Sequence, residues 1–70
     1  MHALTLEVTG MTCQGCVRSV TRVLQALPGV QAAQVSLERN QAVVICDPAR
    51  VDANQLVAAV AAAGYQARAV

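Results

Sequence analysis

A chain of 70 residues has room for one domain, over residues 1–70, and for a core just large enough to offset chain entropy. The formal charge of +1, with scattered Arg and no Lys, supplies no basic stripe for a phosphate backbone, so no nucleic-acid partner is expected. No apolar run approaches the roughly 20 residues a membrane helix needs, since Val51–Ala63 is interrupted by Asp52, Asn54 and Gln55.

Tyr65 is the one aromatic residue, so a core must come from Val, Leu, Ile and Ala. Ala3–Val8 alternates Leu4, Leu6 and Val8 with Thr5 and Glu7, the period of a strand with one buried face. It starts without a basic segment, signal-length apolar stretch or cleavage site, which predicts a cytoplasmic protein. Met1 directly before that strand favours a free-standing chain over a piece of a larger one. Gly10 breaks the alternation. From about Cys13, the residues Val17, Val20, Leu24 and Leu27 recur at helical spacing until Pro28-Gly29 ends the helix. Val35 and Leu37 resume alternation as a second strand. Glu38–Gln41 reads as a hairpin turn, and Ala42–Cys46 as a third strand stopped by Asp47-Pro48. Asp52 and Gln55 have capping-box spacing for a second helix with Leu56, Val60 and Ala63 as its buried stripe, ended by Gly64. Tyr65–Val70 is a last strand. The order β-α-β-β-α-β predicts an α+β, ferredoxin-like sandwich: a four-stranded antiparallel sheet with both helices on one face.

Cys13 and Cys16 fall where a strand-exit loop meets the first helical turn. Free N–H groups and the positive end of the helix dipole favour thiolates there, so an acidic, reactive pair is expected. An odd number of cysteines in a reducing compartment argues against a disulfide framework. Two thiolates with no further ligand nearby in sequence suit a soft ion of low coordination number, Cu(I) above all, whereas zinc wants four ligands. A redox C-x-x-C is the rival. Thioredoxin-like folds also start a helix at such a pair, but they need a longer chain and a cis-Pro, and neither Pro28 nor Pro48 precedes a suitable strand. No Ser-His-Asp set, carboxylate pair or phosphate loop suggests an enzyme.

Gly10-Met11-Thr12-Cys13-Gln14-Gly15-Cys16, Val17, Val20, Pro28-Gly29-Val30, Asp47-Pro48 and Gly64-Tyr65 together resemble the heavy-metal-associated domain family, of the bacterial copper-chaperone kind. The resemblance spans nearly the whole chain. It implies that Cys13 and Cys16 bind one Cu(I), with Met11 as structural support beneath the loop and Tyr65 beside the metal site. Thr12 stands where zinc and cadmium relatives commonly carry an acidic residue, so a hard oxygen ligand is withheld. The implied function is a cytoplasmic Cu(I) chaperone that passes its ion by thiolate exchange to a similar domain of a copper-transporting P-type ATPase. Exposed thiolate pairs also allow copper to bridge two chains into a dimer. Alternatives are a metal-binding domain of such an ATPase, a Hg(II) carrier, or a thiol oxidoreductase. Cys46 replaces a frequent aromatic residue and is expected to face the core. His2 has no fixed family role and is expected to be solvated. Arg18 and Arg22 are the basic residues near the first helix, where some members carry a docking patch.

Overall fold

The computed structural model describes residues 2–70, so the expectation attached to Met1 lies outside it. Six elements follow in the order β1 (His2–Thr9), α1 (Gln14–Gln25), β2 (Val30–Ser36), β3 (Gln41–Cys46), α2 (Ala53–Ala62) and β4 (Gln66–Ala69). The strands lie in the order β2-β3-β1-β4 and every neighbouring pair is antiparallel. Leu6 and Val8 of β1 meet Ala42, Val44 and Cys46 of β3 on one face, all fully buried. Both helices turn their stripes onto the same cluster, Val20 and Leu24 from α1 and Leu56 and Val60 from α2. This is the expected ferredoxin-like α+β sandwich. Burying each Leu or Val of this kind contributes about 1.5–3 kcal/mol, so a few aliphatic residues outweigh any surface ion pair.

Most element ends differ from the periodicity by a residue or two, and the departures that matter have local reasons. Cys13 is the N-cap of α1 in extended conformation, and the helix proper starts at Gln14. β2 begins at Val30, well before Val35, because the register slips between Val30 and Ala32. That extra residue shifts the phase, so Val30, Ala33 and Val35 all pack against the core, a spacing that hides the strand from a period-two reading. Ala63 is exposed, not part of the buried stripe: it is the C-cap of α2, past the last helical residue. β4 starts at Gln66, not Tyr65, and ends at Ala69. The Tyr65 N–H is engaged by the Val60 carbonyl at 3.2 Å, and Gly64 N–H by that of Ala61 at 3.0 Å. These two bonds form a Schellman motif around Gly64, whose φ of 98° is of the sign that glycine adopts without strain. At its other end α2 has the anticipated capping box. Asp52 accepts from the Gln55 N–H at 2.9 Å, and the Gln55 side chain accepts from the Asp52 N–H at 2.9 Å.

Among the glycines, Gly29 in the α1–β2 turn has the least room for a side chain. Gly29 has φ of 94°, its carbonyl accepts from Asp47 N–H at 2.8 Å, and a β-carbon on it would sit 2.8 Å from Arg50 Cβ. Gly29→Ala is therefore expected to cost more than the roughly 1 kcal/mol at which backbone strain of this kind begins, because the clash adds to it. Thermal melting followed by circular dichroism checks this, and an unchanged melting temperature would contradict it.

Candidate metal centre

β1 ends at Thr9, and the loop that leaves it has one inward residue. Met11 is 7% exposed and sits in the core cluster, while Thr12 and Cys13 on either side of the following peptide are exposed. The Cys13 carbonyl accepts from Cys16 N–H at 3.1 Å and Val17 N–H at 3.3 Å, which closes the first turn of α1. Its side chain makes no capping hydrogen bond. An Asp or Ser at an N-cap ordinarily spends its oxygen on the helix, whereas Cys13 Sγ is left for other chemistry. Cys16, on that first turn, is half-buried, and the two sulfurs are 3.8 Å apart as free thiols.

Cys16 is brought from 9.0 to about 6. Hydrogen bonding from the Thr12 backbone is the largest cause, followed by the Tyr65 hydroxyl, the Thr12 hydroxyl and the Cys13 backbone, with burial opposing them. The Thr12 Oγ1 to Cys16 Sγ distance is 3.8 Å. Thr12 thus supplies polar hydrogens to the thiolate, a role that its reading as a withheld oxygen ligand did not include. Cys16 hydrogen bonding, with burial and charge repulsion behind it, raises the Tyr65 pKa, while the Ser19 hydroxyl pulls the other way. The phenol therefore stays protonated as a donor.

Tyr65 reaches this position because the Schellman motif carries it off the end of α2 toward the β1–α1 loop. Its ring packs over Gly10, where a β-carbon would lie 3.7 Å from Cδ1. Ser19 was missed by sequence reasoning, although its place three residues after Cys16 puts both on one helical face. Cys46 is fully buried and pairs across the ladder with His2, at the end of β1 away from the loop, so neither joins the cysteine pair. Arg18 and Arg22 are exposed on α1, where they line a shallow groove with Thr21 and Gln25.

The donor set fits a soft ion. Two sulfurs 3.8 Å apart are closer than two metal–thiolate bonds of about 2.3 Å laid end to end, so one ion can touch both, and the near-linear arrangement of a two-coordinate ion needs the sulfurs to move further apart. Among the described residues, no group of three or more His, Cys, Asp or Glu side chains is placed to enclose a metal. The pair is suited to low coordination and leaves a side open to an incoming ligand.

The profile of the heavy-metal-associated domain family matches residues 5–66. The chain belongs to this family. It is 43% identical over 63 residues to a protein described as a probable copper-transporting ATPase, PacS, of Synechococcus elongatus, a match covering 90% of this chain and 8% of that one. The chain thus spans a small fraction of that relative's length. Among solved structures, a copper binding domain from HMA7, a P-type ATPase, superposes with a TM-score of 0.98 at 36% identity, covering 100% of this chain and 95% of that one. The CopZ metallochaperone superposes with a TM-score of 0.92 at 33% identity, covering 96% and 100%.

With its folded pKa below the unfolded value, the Cys16 thiolate adds to stability as pH rises from about 6 toward 9, and that contribution is lost as pH falls through about 6. Alkylation of Cys16, resolved by peptide mass across pH, is expected to show a midpoint near 6. Thr12→Val should raise the midpoint only part of the way to 9.0, because the backbone contribution survives. A midpoint unchanged in Thr12→Val would show that the hydroxyl does not reach the sulfur.

Proposed function

We propose that this chain is a Cu(I) chaperone, a single metal-carrying unit that holds one ion between Cys13 and Cys16 and delivers it in the cytoplasm to a partner domain with a comparable site. The observation that carries the reading is the pair itself: two sulfurs 3.8 Å apart at a helix start, one of them ionised well below its ordinary pKa. Soft thiolates in twos suit Cu(I) better than harder divalent ions. Similarity to a metallochaperone and to a copper binding domain supports the same assignment. Met11 supports the loop from below, while Thr12 and Tyr65 donate to Cys16.

Transfer is associative. A partner thiolate attacks the two-coordinate ion and forms a third sulfur–copper bond. One bond to Cys13 or Cys16 then breaks, and that cysteine leaves as a thiolate. No electron changes hands, so the chain acts as a carrier, not an enzyme. The partner fitted to this step is a copper-transporting P-type ATPase bearing a similar domain. Bridging of two chains by copper uses the same open side of the site.

A second reading has an observation behind it. The chain covers 8% of the ATPase it resembles at 43% identity, so it also fits a metal-binding domain of such a transporter. The size of the native protein, detected with an antibody in the source cells, separates the two: a product of about this length favours the chaperone, and one many times longer favours the transporter.

Replacing Cys13 and Cys16 by Ser is expected to abolish tight Cu(I) binding in a chelator competition, while Cys46→Ala leaves it intact. Retained binding in the double variant would sink the site assignment. Tyr65→Ala should weaken affinity only by the worth of one hydrogen bond, about 1 kcal/mol or roughly fivefold. Complete loss there would make Tyr65 a ligand in its own right.

A further inference from the structure

Gly15 lies between the two cysteines in the first turn of α1, and its bare α-carbon is flanked by two reactive groups. A β-carbon there would sit 3.5 Å from Cys13 Sγ and 3.9 Å from Arg18 Nη2. Sulfur and guanidinium therefore face the same strip of backbone, separated by less than the sum of those distances. Arg18 is three residues beyond Gly15, and its side chain runs back toward the helix N-terminus, the direction helical side chains take. Among the described residues no carboxylate holds it. The ion pair there joins Arg68 to Glu7 at 3.2 Å, and the first turn of α1 contains no acidic residue. The guanidinium and the helix N-terminus thus add to one positive field at the cysteines, with no negative side chain in that turn to cancel it.

We propose that Arg18 is a specificity-determining residue, whose guanidinium discriminates between metal ions by the net charge of the complex they form with Cys13 and Cys16. This rests on the two-cysteine reading above. Two thiolates around a monovalent ion leave one net negative charge, whereas around a divalent ion they leave none. A cation within the distance those two approaches allow stabilises the first complex and is nearly indifferent to the second. Coordination chemistry already favours a soft ion here, and Arg18 adds a preference within the soft ions, for the monovalent ones. Its guanidinium keeps its proton at any working pH, so the preference does not titrate away with Arg18. Because Arg18 is exposed, solvent and salt limit the effect to a few-fold.

The test compares the wild-type chain with Arg18→Gln, Arg18→Lys and Arg22→Gln, the last removing a charge one turn further along α1. Each is titrated in competition with chelators against Cu(I), Ag(I) and Cd(II), at low and high salt. Arg18→Gln is expected to lower the preference for Cu(I) and Ag(I) over Cd(II) by about three- to fivefold; the ratio is the quantity read, because the guanidinium also bears on the ion-free thiolates. Arg18→Lys should restore most of the loss, Arg22→Gln should show little of it, and high salt should shrink the difference. A change of equal size for all three ions, or an unchanged ratio of Cu(I) to Cd(II) affinity, overturns the role of Arg18. Failure of the wild-type chain to bind Cu(I) at all, or retained binding without the two cysteines, overturns the two-cysteine reading on which it rests.

Discussion

The site depends on one buried side chain. Met11, tucked into an aliphatic core with 7% of its surface exposed, pins the loop between β1 and α1 to the sheet. Only Thr12 and Cys13 separate Met11 from the first residue of α1, so the loop and the helix start are tied to one another. Val20 and Leu24 hold that helix from below, fully buried against the sheet. Positions 12, 13 and 16 are thereby fixed relative to one another although none is itself fully buried. A thioether fits this task because it fills an irregular gap without demanding a hydrogen-bond partner that the apolar site lacks.

On that pinned loop the chemistry of Cys16 follows from donors rather than from burial or formal charge. The Thr12 and Cys13 backbones, the Thr12 hydroxyl and the Tyr65 phenol all favour the thiolate, against desolvation. The Tyr65 contribution originates at the far end of α2, where Gly64 turns the chain and the Tyr65 N–H is held by Val60. The end of one helix thus helps set the ionisation of a residue at the start of the other. A long-range constraint is met by local rules: a helix stop, a ring laid over Gly10, and a hydroxyl carried with it.

Periodicity in the sequence was sufficient for β1 and the apolar stripe of α1, because in each the buried residues recur at the period of one regular element, but not for the buried face of β3. Cys46 is a case in point. Val43, Val44 and Ile45 around it are all apolar, so alternation alone left its side undecided, and the resemblance indicated the core it occupies. β2 was only half legible, since the slip at Gln31 puts Val30 and Ala33 on one face at an interval no strand template expects. At the site, the C-x-x-C spacing was visible, as was the promise of a helix start. The donors onto Cys16 were not, because which groups face a sulfur depends on how Met11 and the α2 cap orient their neighbours. Nor was the approach of both Cys13 Sγ and Arg18 Nη2 to Gly15, which needs the rotamer of a long side chain as well as the helical turn.

Holding and releasing an ion place opposite demands on a ligand, and in the proposed carrier role the way Cys16 is ionised would meet both. A thiolate stabilised by hydrogen bonds is available at neutral pH without a competing proton, so an ion can be taken up without deprotonation first. The same hydrogen bonds lower the basicity of the sulfur, and a sulfur of low basicity is displaced more readily by an incoming thiolate. Had the pKa been lowered by a buried cation instead, water would be excluded and with it the approach of a partner's sulfur. Exposure of Cys13 and half-burial of Cys16 therefore belong to the same solution as the polar donors: the loop is buried at Met11 and open where the proposed ion would sit. In the proposed exchange that division lets the metal leave without disturbing the fold that positions it.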